Sequence, residues 1–305
     1  MESTIEKLKR QRDAVILAHY YCSPQVQDVA DYVGDSLALS QIAATTSAKV
    51  ILFAGVHFMA QTAKILSPEK TVLLPDIEAG CSLADSCAVE DFAPFVKAHP
   101  DHLVISYVNT SAQVKALTDI VVTSSNALKI VNGLPRDQKI LFGPDRNLGN
   151  YIAAMTGRDM VIWDGACHVH QQFSLERILE LKQQYPQAKI LAHPECTKPV
   201  LMVADHIGST ASLLEFSASD TAKQYIVATE SGIIHQMKRQ SPDKLFLPAP
   251  PADSTCACND CAFMKLNTLS KIEAALRTLT PAIEVPLEIR LKAEVSIRRM
   301  LELSK

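Results

Sequence analysis

Short, almost continuously apolar segments alternate with amphipathic segments along this chain of 305 residues. Three of the apolar segments end in polar residues: AVILAHYY (14–21), LVISYVNT (103–110) and KILAHPEC (189–196). Short apolar runs separated by helical segments are typical of buried parallel strands joined by helical crossovers. The pattern therefore predicts an α/β fold.

The order of segments repeats three times. The strand-end residues lie 88 and 86 residues apart, and each is followed 17 residues later by a hydroxyl residue, which gives the pairs His19 with Ser36, Tyr107 with Ser124, and His193 with Thr210. Two further apolar runs follow in every copy, at 48–55 and 71–76, at 138–144 and 159–165, and at 223–230 and 244–250. An amphipathic helix precedes each copy, at 2–12, 89–98 and 174–185. Sequences of α/β proteins are periodic in general, but chance would have to reproduce these features in one order three times.

We therefore expect three similar small α/β domains, with parallel sheets flanked by helices, arranged with pseudo-threefold symmetry around a central active site. The expected domains are 1–86, 87–172 and 173–261, followed by a helical segment, 262–305, that packs back on them. Ligands of parallel α/β sheets gather beyond the carboxyl ends of the strands. The polar strand-end residues of all three copies fall at such ends.

A cysteine follows the last strand of each copy: Cys81, Cys167 and, in the third copy, the cluster Cys256, Cys258 and Cys261. Three thiolates, one from each domain, fit a [4Fe–4S] cluster in which one iron lacks a protein ligand and can act as a Lewis acid. Zinc fits less well, because structural zinc sites usually have two closely spaced ligand pairs, and the histidine pair in ACHVH is weak support for one. The remaining cysteines, Cys22, Cys87 and Cys196, are expected to be small buried apolar residues.

The hydroxyl residues Ser36, Ser124 and Thr210 each precede an amphipathic stretch. A hydroxyl there can simply cap the helix. Three helix N-termini that converge would also bind an anion through their free N–H groups and the helix dipole. With His19, this arrangement suggests a substrate that carries carboxylates or phosphate.

Tyr107, Asn109 and Glu195 complete a polar set at the strand ends. Polar residues are common at strand ends, which would explain any one of them. As a group they favour an active site, because such side chains can move protons at the mouth of a sheet.

Composition excludes several classes of protein. Apolar residues make up 48% of the chain, which is ample for packed cores. The net charge of −3, with no cluster of Lys or Arg, disfavours nucleic-acid binding. No apolar run is long enough to span a bilayer, and the charged segment MESTIEKLKRQRD is unlike a signal peptide. We therefore expect a soluble, cytoplasmic protein without nucleic-acid or membrane partners, whose reduced thiols serve metal binding or catalysis.

A series of ordered motifs resembles the quinolinate synthase family across nearly the whole chain. The motifs are LAHYY, GDSLALS, ISYVNTSAQVKA, TSSNA, FGPDRNLG, WDGACHVH, AHPEC, IGST, ATESGIIHQM and CNDCAFMKLNTL. The resemblance implies three α/β domains around a [4Fe–4S] cluster held by three cysteines. It also implies an enzyme of de novo NAD biosynthesis that condenses iminoaspartate with dihydroxyacetone phosphate. The iminoaspartate would come from an aspartate oxidase or dehydrogenase.

Carried over by position, the family's substrate-binding residues are His19, Ser36, Tyr107, Asn109, Ser124, His193, Glu195 and Thr210. Of these, the resemblance makes Tyr107 and Glu195 the candidates for acid–base catalysis, with His19 as a further catalytic candidate. Tyr21 is expected to line the pocket and to help shape the triose, and we count it with the catalytic candidates.

The third cluster ligand can be chosen in two ways. Spacing favours Cys256, because Cys81 and Cys167 lie 62 and 60 residues after their strand-end residues, and Cys256, Cys258 and Cys261 lie 63, 65 and 68 residues after His193. In the family, the ligand precedes an x-x-Met stretch, which favours Cys261. We follow the motif and expect Cys81, Cys167 and Cys261 as ligands. A regulatory disulfide between Cys256 and Cys258 is disfavoured because a C-x-C bridge is strained.

Two other types of enzyme resemble this design, with three domains that each give one cysteine. They are the diphthamide synthesis enzymes and the reductase of hydroxymethylbutenyl diphosphate, and both need electron delivery, whereas quinolinate formation has no net redox step. The motifs around His19, Tyr107 and Glu195 favour quinolinate synthase. A non-catalytic iron–sulfur or zinc sensor would leave the polar set without a role.

Overall fold

The computed structural model describes residues 4–253 and 259–305. It contains three parallel four-stranded sheets with helices between the strands. In each sheet the first strand along the chain lies between the second and the third, and the fourth lies beyond the third. The predicted fold class, three similar small α/β units, is confirmed.

Helices and strands follow one another in the same order in all three repeats. The first repeat contains α1 (Thr4–Arg12), β1 (Ala14–His19), α2 (Pro24–Val29), β2 (Tyr32–Gly34), α3 (Ser36–Thr45), β3 (Val50–Ala54), α4 (His57–Leu66), β4 (Thr71–Leu73) and α5 (Ser82–Asp85). The second contains α6 (Val89–Lys97), β5 (Leu103–Tyr107), α7 (Ala112–Lys115), β6 (Ile120–Val122), α8 (Ala127–Gly133), β7 (Ile140–Gly143), α9 (Arg146–Thr156), β8 (Met160–Ile162) and α10 (His168–Gln171). The third contains α11 (Leu175–Gln184), β9 (Lys189–Ala192), α12 (Lys198–Met202), β10 (His206–Ile207), α13 (Thr210–Ser219), β11 (Gln224–Ala228), α14 (Ile233–Gln240) and β12 (Leu245–Pro248). The C-terminal segment contains α15 (Ala262–Lys265), α16 (Leu269–Thr278) and α17 (Leu287–Leu303).

The first and third strands of each repeat are largely buried, as their apolar sequences predict. Ile16, Leu17 and Ala18 of β1 have no exposed surface, and β3 is buried throughout. The second strands, β2, β6 and β10, are only two or three residues long. The hydrophobic pattern does not predict these strands, because only one to four residues separate each of them from the next helix, with which it merges in the sequence.

An aspartate twelve residues after each strand-end residue closes the following loop onto the first strand. Its carboxylate accepts a hydrogen bond from a backbone N–H of that strand, and the three pairs are Asp31 with Ile16 (2.8 Å), Asp119 with Val104 (2.8 Å) and Asp205 with Ile190 (2.7 Å). The aspartate at the end of each loop is thus hydrogen-bonded to the strand from which the loop begins. These loops carry the polar strand-end residues, so their repeated closure fixes where those residues lie.

The C-terminal segment lies on the first two repeats. The stretch before α17 runs beside the edge strand β4, where Ile283 N–H donates to Val72 O at 2.8 Å. The helix α17 then packs against α4 of the first repeat and against α7 and β6 of the second. One hydrophobic cluster runs through the first two repeats and the C-terminal helices, although part of the second repeat forms a separate cluster around Phe92. The sheet of the third repeat lies between two further clusters. No helix among residues 4–253 and 259–305 has the length and apolar character needed to cross a membrane.

Candidate active site

The predicted site residues of all three repeats line one cavity. Twelve residues were expected at the site, and each of them lines this cavity: His19, Tyr21, Ser36, Cys81, Tyr107, Asn109, Ser124, Cys167, His193, Glu195, Thr210 and Cys261. They come from the carboxyl ends of strands in three different sheets. The fold therefore brings together residues that are up to 242 positions apart in the sequence, from His19 to Cys261.

The two strand-end histidines, His19 and His193, are buried in the wall of the cavity with 4% and 2% of their surface exposed. Burial lowers the pKa of each imidazole to about 3, so both are neutral at physiological pH. In each ring, Nδ1 accepts a backbone N–H, from Tyr21 at 3.2 Å and from Glu195 at 3.3 Å. The hydrogen of the neutral ring must then sit on Nε2, and in His193 this atom is 3.1 Å from the hydroxyl of Ser124. Both histidines are therefore fixed as neutral N–H donors.

Glu195 is the centre of the buried polar network. The Tyr107 hydroxyl donates to Glu195 Oε1 at 2.5 Å, and Nδ1 of His170 lies 3.0 Å from Oε2. Burial raises the pKa of Glu195, but His170, His193 and the hydrogen bond from Tyr107 outweigh it and lower the pKa to about 2. Burial and the Glu195 charge raise the pKa of Tyr107 well above its ordinary value, so the shared proton stays on the tyrosine.

Tyr21 also lines the cavity and bonds to two hydroxyls of the third repeat. Its oxygen is 2.7 Å from Thr229 Oγ1 and 3.2 Å from Thr210 Oγ1. Burial, reinforced by the charge of Glu195, raises the Tyr21 pKa well above its ordinary value. Thr229 Oγ1 is also 2.9 Å from His170 Nε2, which connects Tyr21 to the network around Glu195.

The predicted hydroxyl residues are not the helix caps. The cap of α3 is Asp35, which accepts from Ala38 N–H at 2.9 Å, and Ser36 is the first residue of that helix. In the same way Ser209 caps α13, and Thr210 is its first residue. Neither hydroxyl is used as a cap, and that of Thr210 lies 3.2 Å from the Tyr21 hydroxyl instead. Ser124 lies three residues before α8 begins at Ala127.

Cys81, Cys167 and Cys261 occupy the same structural position. Each is the residue immediately before a four-residue helix, α5, α10 or α15. Backbone N–H groups of these helices lie close enough to lower the pKa of the thiols, but burial dominates. It raises the pKa of Cys81 to about 12, raises that of Cys167 well above its ordinary value and also raises that of Cys261. Cys256 and Cys258 lie outside the described residues.

The donor set fits an iron–sulfur group. Three partly buried thiols face one cavity, and their raised pKa values mean that they would be neutral unless a nearby cation favoured the thiolates. Backbone N–H groups directed at cysteine sulfurs are a usual feature of such sites. A second grouping overlaps with this one, because ligand atoms of Cys167, His170 and Glu195 lie within 4.8 Å of one another.

Residues outside the predicted set hold the ligands and the acid–base groups in place. Asp145 caps α9 as a turn residue is expected to do, and its other oxygen accepts from the N–H of Cys167 at 3.3 Å. Glu230 accepts from the N–H of Cys261 at 3.1 Å and forms a buried ion pair with Lys265 at 2.7 Å.

The repeat contains a signal for part of this supporting set. Gly55, Gly143 and Thr229 all stand 36 residues after their strand-end residues, at the end of the third strand of each repeat. Glu230, which follows Thr229 directly, lines the cavity. His170, in contrast, has no histidine at the equivalent positions of the other two repeats, so its pattern indicates no firm role.

Comparison with known proteins shows similarity along the whole chain. Residues 3–302 match the family model described as quinolinate synthetase A protein. A quinolinate synthase from Thermosynechococcus vestitus is 59% identical over 302 residues, which is 99% of this chain and 95% of the relative. A quinolinate synthase from Microcystis aeruginosa is also 59% identical, with coverage of 99% and 94%. One from Synechocystis sp. is 59% identical over 300 residues, with coverage of 98% and 94%.

Proposed function

This chain belongs to the quinolinate synthase family, and we propose that it forms quinolinate from iminoaspartate and dihydroxyacetone phosphate on a [4Fe–4S] cluster. Quinolinate synthesis, an enzymatic step in the formation of NAD, is its function. The proposal concerns the two substrates, the form of the cluster and the roles of the residues.

The atoms of the proposed reaction balance without an oxidant or a reductant. Iminoaspartate supplies four carbons and the nitrogen, and the triose supplies three carbons. Their condensation forms one carbon–carbon and one carbon–nitrogen bond. Phosphate and two waters leave, and the remaining atoms are those of quinolinate. The chain must therefore bind two anions, move protons and assist the departure of oxygen groups.

Cys81, Cys167 and Cys261 would hold the cluster. Their equivalent positions before three four-residue helices support this set over one that includes Cys256. With three protein thiolates, one iron would have no protein ligand, and the cluster would then supply Lewis-acid assistance to a substrate oxygen.

The Tyr107–Glu195 pair is the part of the chain suited to proton transfer. The carboxylate of Glu195 is ionised and buried, and the hydroxyl oxygen of Tyr107, which carries a proton, lies 2.5 Å from Glu195 Oε1. Glu195 can accept a proton from a substrate carbon or nitrogen, and Tyr107 can donate one to a leaving oxygen. Because both side chains are buried, water is excluded from these transfers.

Neutral donors would bind the anionic parts of the substrates. His19 presents an N–H group, and Ser36, Ser124 and Thr210 present hydroxyls to the cavity, with the Ser124 hydroxyl held by the Nε2–H of His193. The N-termini of α3 and α13 add backbone N–H groups and the positive ends of two helix dipoles. Such a pocket can hold carboxylates and phosphate without a paired lysine or arginine. Tyr21, held by two threonine hydroxyls, is placed to orient the triose.

One observation carries the proposal: three equivalent cysteines and the Tyr107–Glu195 pair face a single cavity. The test is to reconstitute the protein with iron and sulfide without oxygen, and to supply dihydroxyacetone phosphate and iminoaspartate made in place by an aspartate oxidase. We expect about four irons and four sulfides per chain and quinolinate detected by mass spectrometry. Reactions without the triose and with chelator-treated protein are the controls. An aspartate oxidase or dehydrogenase is also the kind of enzyme expected to supply iminoaspartate in the cell.

Other outcomes would favour a different function. A loaded protein that forms no quinolinate but cleaves S-adenosylmethionine, or reduces an allylic diphosphate when electrons are supplied, would favour one of the two related three-cysteine designs. One zinc per chain without sulfide would place a metal on Cys167, His170 and Glu195 instead, because their ligand atoms lie within 4.8 Å of one another. That result would contradict the cluster.

A further inference from the structure

Two of the three strand-end loops are held by a buried side chain at the same position of the repeat. Gln27 stands eight residues after His19, and Lys115 stands eight residues after Tyr107. Gln27 lies in α2 and Lys115 in α7, the equivalent helices of the first two repeats. Their exposed fractions are 1% and 0%.

Lys115 donates to the backbone carbonyls on either side of Asn109. Its Nζ lies 2.7 Å from Val108 O and also bonds to Thr110 O. The Phe58 ring, 5.3 Å away at its centroid, covers the amine. Burial lowers the pKa of Lys115 to about 7, and the amine keeps at least two N–H donors whether or not it is protonated.

Gln27 does the same for Tyr21. Its Nε2 lies 2.8 Å from Tyr20 O and 2.8 Å from Cys22 O, the two carbonyls that flank Tyr21. The orientation of the amide is fixed, because its Oε1 accepts from Gln236 at 2.9 Å and a flip would turn Oε1 towards these carbonyls. Nε2 is also 2.9 Å from Gly232 O of the third repeat.

The backbone of Gly232 approaches the Tyr21 loop closely. A Cβ at this position would lie 2.8 Å from Tyr20 O and 2.9 Å from the carbonyl carbon of Tyr21. This close approach lets the third repeat share the Gln27 donor with the first. The Tyr21 loop is therefore held against the third repeat, whose threonines bond to the Tyr21 hydroxyl.

The third repeat uses a different solution. Its position eight residues after His193 is Leu201, which has no side-chain donor, and its loop contains Pro194 just before Glu195. Proline fixes its own φ angle, and the carbonyl of Glu195 accepts from Asn147 at 3.0 Å. Asn109, in contrast, is not held through its own side-chain oxygen, since its buried Oδ1 finds no partner among the described residues.

We propose that Gln27 and Lys115 are positioning residues that set the direction of the Tyr21 and Asn109 side chains by fixing the carbonyl on each side of them. They do not touch substrate themselves. Among the described residues the buried Oδ1 of Asn109 has no hydrogen-bond partner, and the Tyr21 hydroxyl bonds to two hydroxyls of the third repeat. Both side chains therefore depend on the backbone beneath them. The assignment rests on the proposed function only in that it takes Tyr21 and Asn109 to face the substrates.

The repeats themselves provide the test variants. Lys115→Gln copies the first repeat and retains a donor, whereas Lys115→Leu copies the third repeat and removes it. We expect Lys115→Leu to lower kcat/KM about 10- to 100-fold, mainly through KM, and Lys115→Gln to recover most of that loss. Leu201→Met, at the equivalent position without a donor, is the matched control and should leave kinetics unchanged. Iron content and melting temperature report whether each variant is folded and loaded.

A double-mutant cycle separates positioning from a general structural role. If Lys115 acts through Asn109, Lys115→Leu should cost less than about threefold in an Asn109→Ala background. Gln27→Leu should likewise cost little once Tyr21→Phe is present. The crossed pairs, Lys115→Leu with Tyr21→Phe and Gln27→Leu with Asn109→Ala, should show nearly multiplicative losses. Equal losses in every background, or a Lys115→Gln variant as impaired as Lys115→Leu, would overturn the proposal.

Hydrogen exchange of the loop peptides tests the same idea without turnover. Amide exchange in residues 107–111 should be faster in Lys115→Leu than in wild type or Lys115→Gln, with the 193–197 loop unaffected. An unchanged rate in the Leu variant would contradict the clamp, even if wild type proved inactive in the quinolinate assay. Failure of that assay in wild type would instead contradict the proposed function.

Discussion

The two sides of the cavity use the threefold repeat in opposite ways. On the cysteine side, the repeats contribute the same residue at the same place, before a four-residue helix. On the strand-end side, the backbone repeats but the side chains differ, and the residue two positions after each strand end is Tyr21, Asn109 or Glu195. Even the aspartates that close the strand-end loops are repeated, whereas the side chains that face the cavity are not.

The proposed function accounts for this difference. An iron–sulfur cluster presents equivalent irons, so three identical thiols would suit it. The two proposed substrates are unlike each other and unsymmetrical, so they would need a donor at one place, a base at another and an acceptor at a third. A repeated scaffold can meet both needs, because the loops are fixed by hydrogen bonds to backbone groups. These bonds do not depend on which side chain faces the cavity.

The largest effect is expected on the cysteine side. Three substitutions, Cys81→Ser, Cys167→Ser and Cys261→Ser, should each reduce bound iron from about four per chain to a small fraction of that amount. Each should also reduce quinolinate formation to background. The reason is that all three sulfurs face the same cavity, so the loss of any one would leave the cluster with two protein ligands. Anaerobic iron and sulfide analysis checks this outcome.

Cys256→Ser and Cys258→Ser are the matched controls and should keep the full cluster. A full cluster in Cys261→Ser, together with its loss in Cys256→Ser, would mean that spacing rather than the motif identifies the ligand. The equivalence of the three helix starts would then be misleading.

On the strand-end side, variants should lose rate without losing iron. Glu195→Gln keeps the size of the side chain and can still accept from Tyr107, but it removes the charge that would take up a proton. We expect kcat to fall about 10²- to 10⁴-fold, with iron content and melting temperature close to wild type. Tyr107→Phe removes the donor and should also lower kcat. If Glu195→Gln lost its metal, Glu195 would belong to the cysteine side, as its closeness to Cys167 and His170 allows.

The sequence predicted the fold because burial on both faces leaves a strong signal. The apolar strands β1, β5 and β9 and the helices before them lie where their patterns predicted. The second strands were missed, because each is only two or three residues long and runs almost directly into the helix that follows. The domain boundaries and the roles of the site residues stay predictions, since the structure gives positions but not activity.

Residues that act through the backbone were beyond the sequence analysis. Lys115 lies within the quoted motif ISYVNTSAQVKA, yet nothing in the pattern distinguishes it from an exposed lysine at a helix end. Its burial is visible only once α4 and α17 cover α7. The repeat register could have paired it with Gln27, but one is charged and the other is not. The equivalence of Gln27 and Lys115 is visible only in their hydrogen bonds, since each donates to the carbonyls on both sides of a cavity residue.

The smallest effect concerns the neutral histidines of the strand-end side. Because burial holds the pKa of His19 and His193 at about 3, both are neutral at pH 6 and at pH 8. The ratio of kcat/KM between wild type and His19→Gln, which keeps an N–H donor, should therefore be the same at the two pH values. A histidine with an ordinary pKa would be mostly protonated at pH 6, and the ratio would shift about fourfold between them. His193→Gln provides the equivalent comparison in the third repeat, and a shift in either ratio would show that the histidine is charged when it binds substrate.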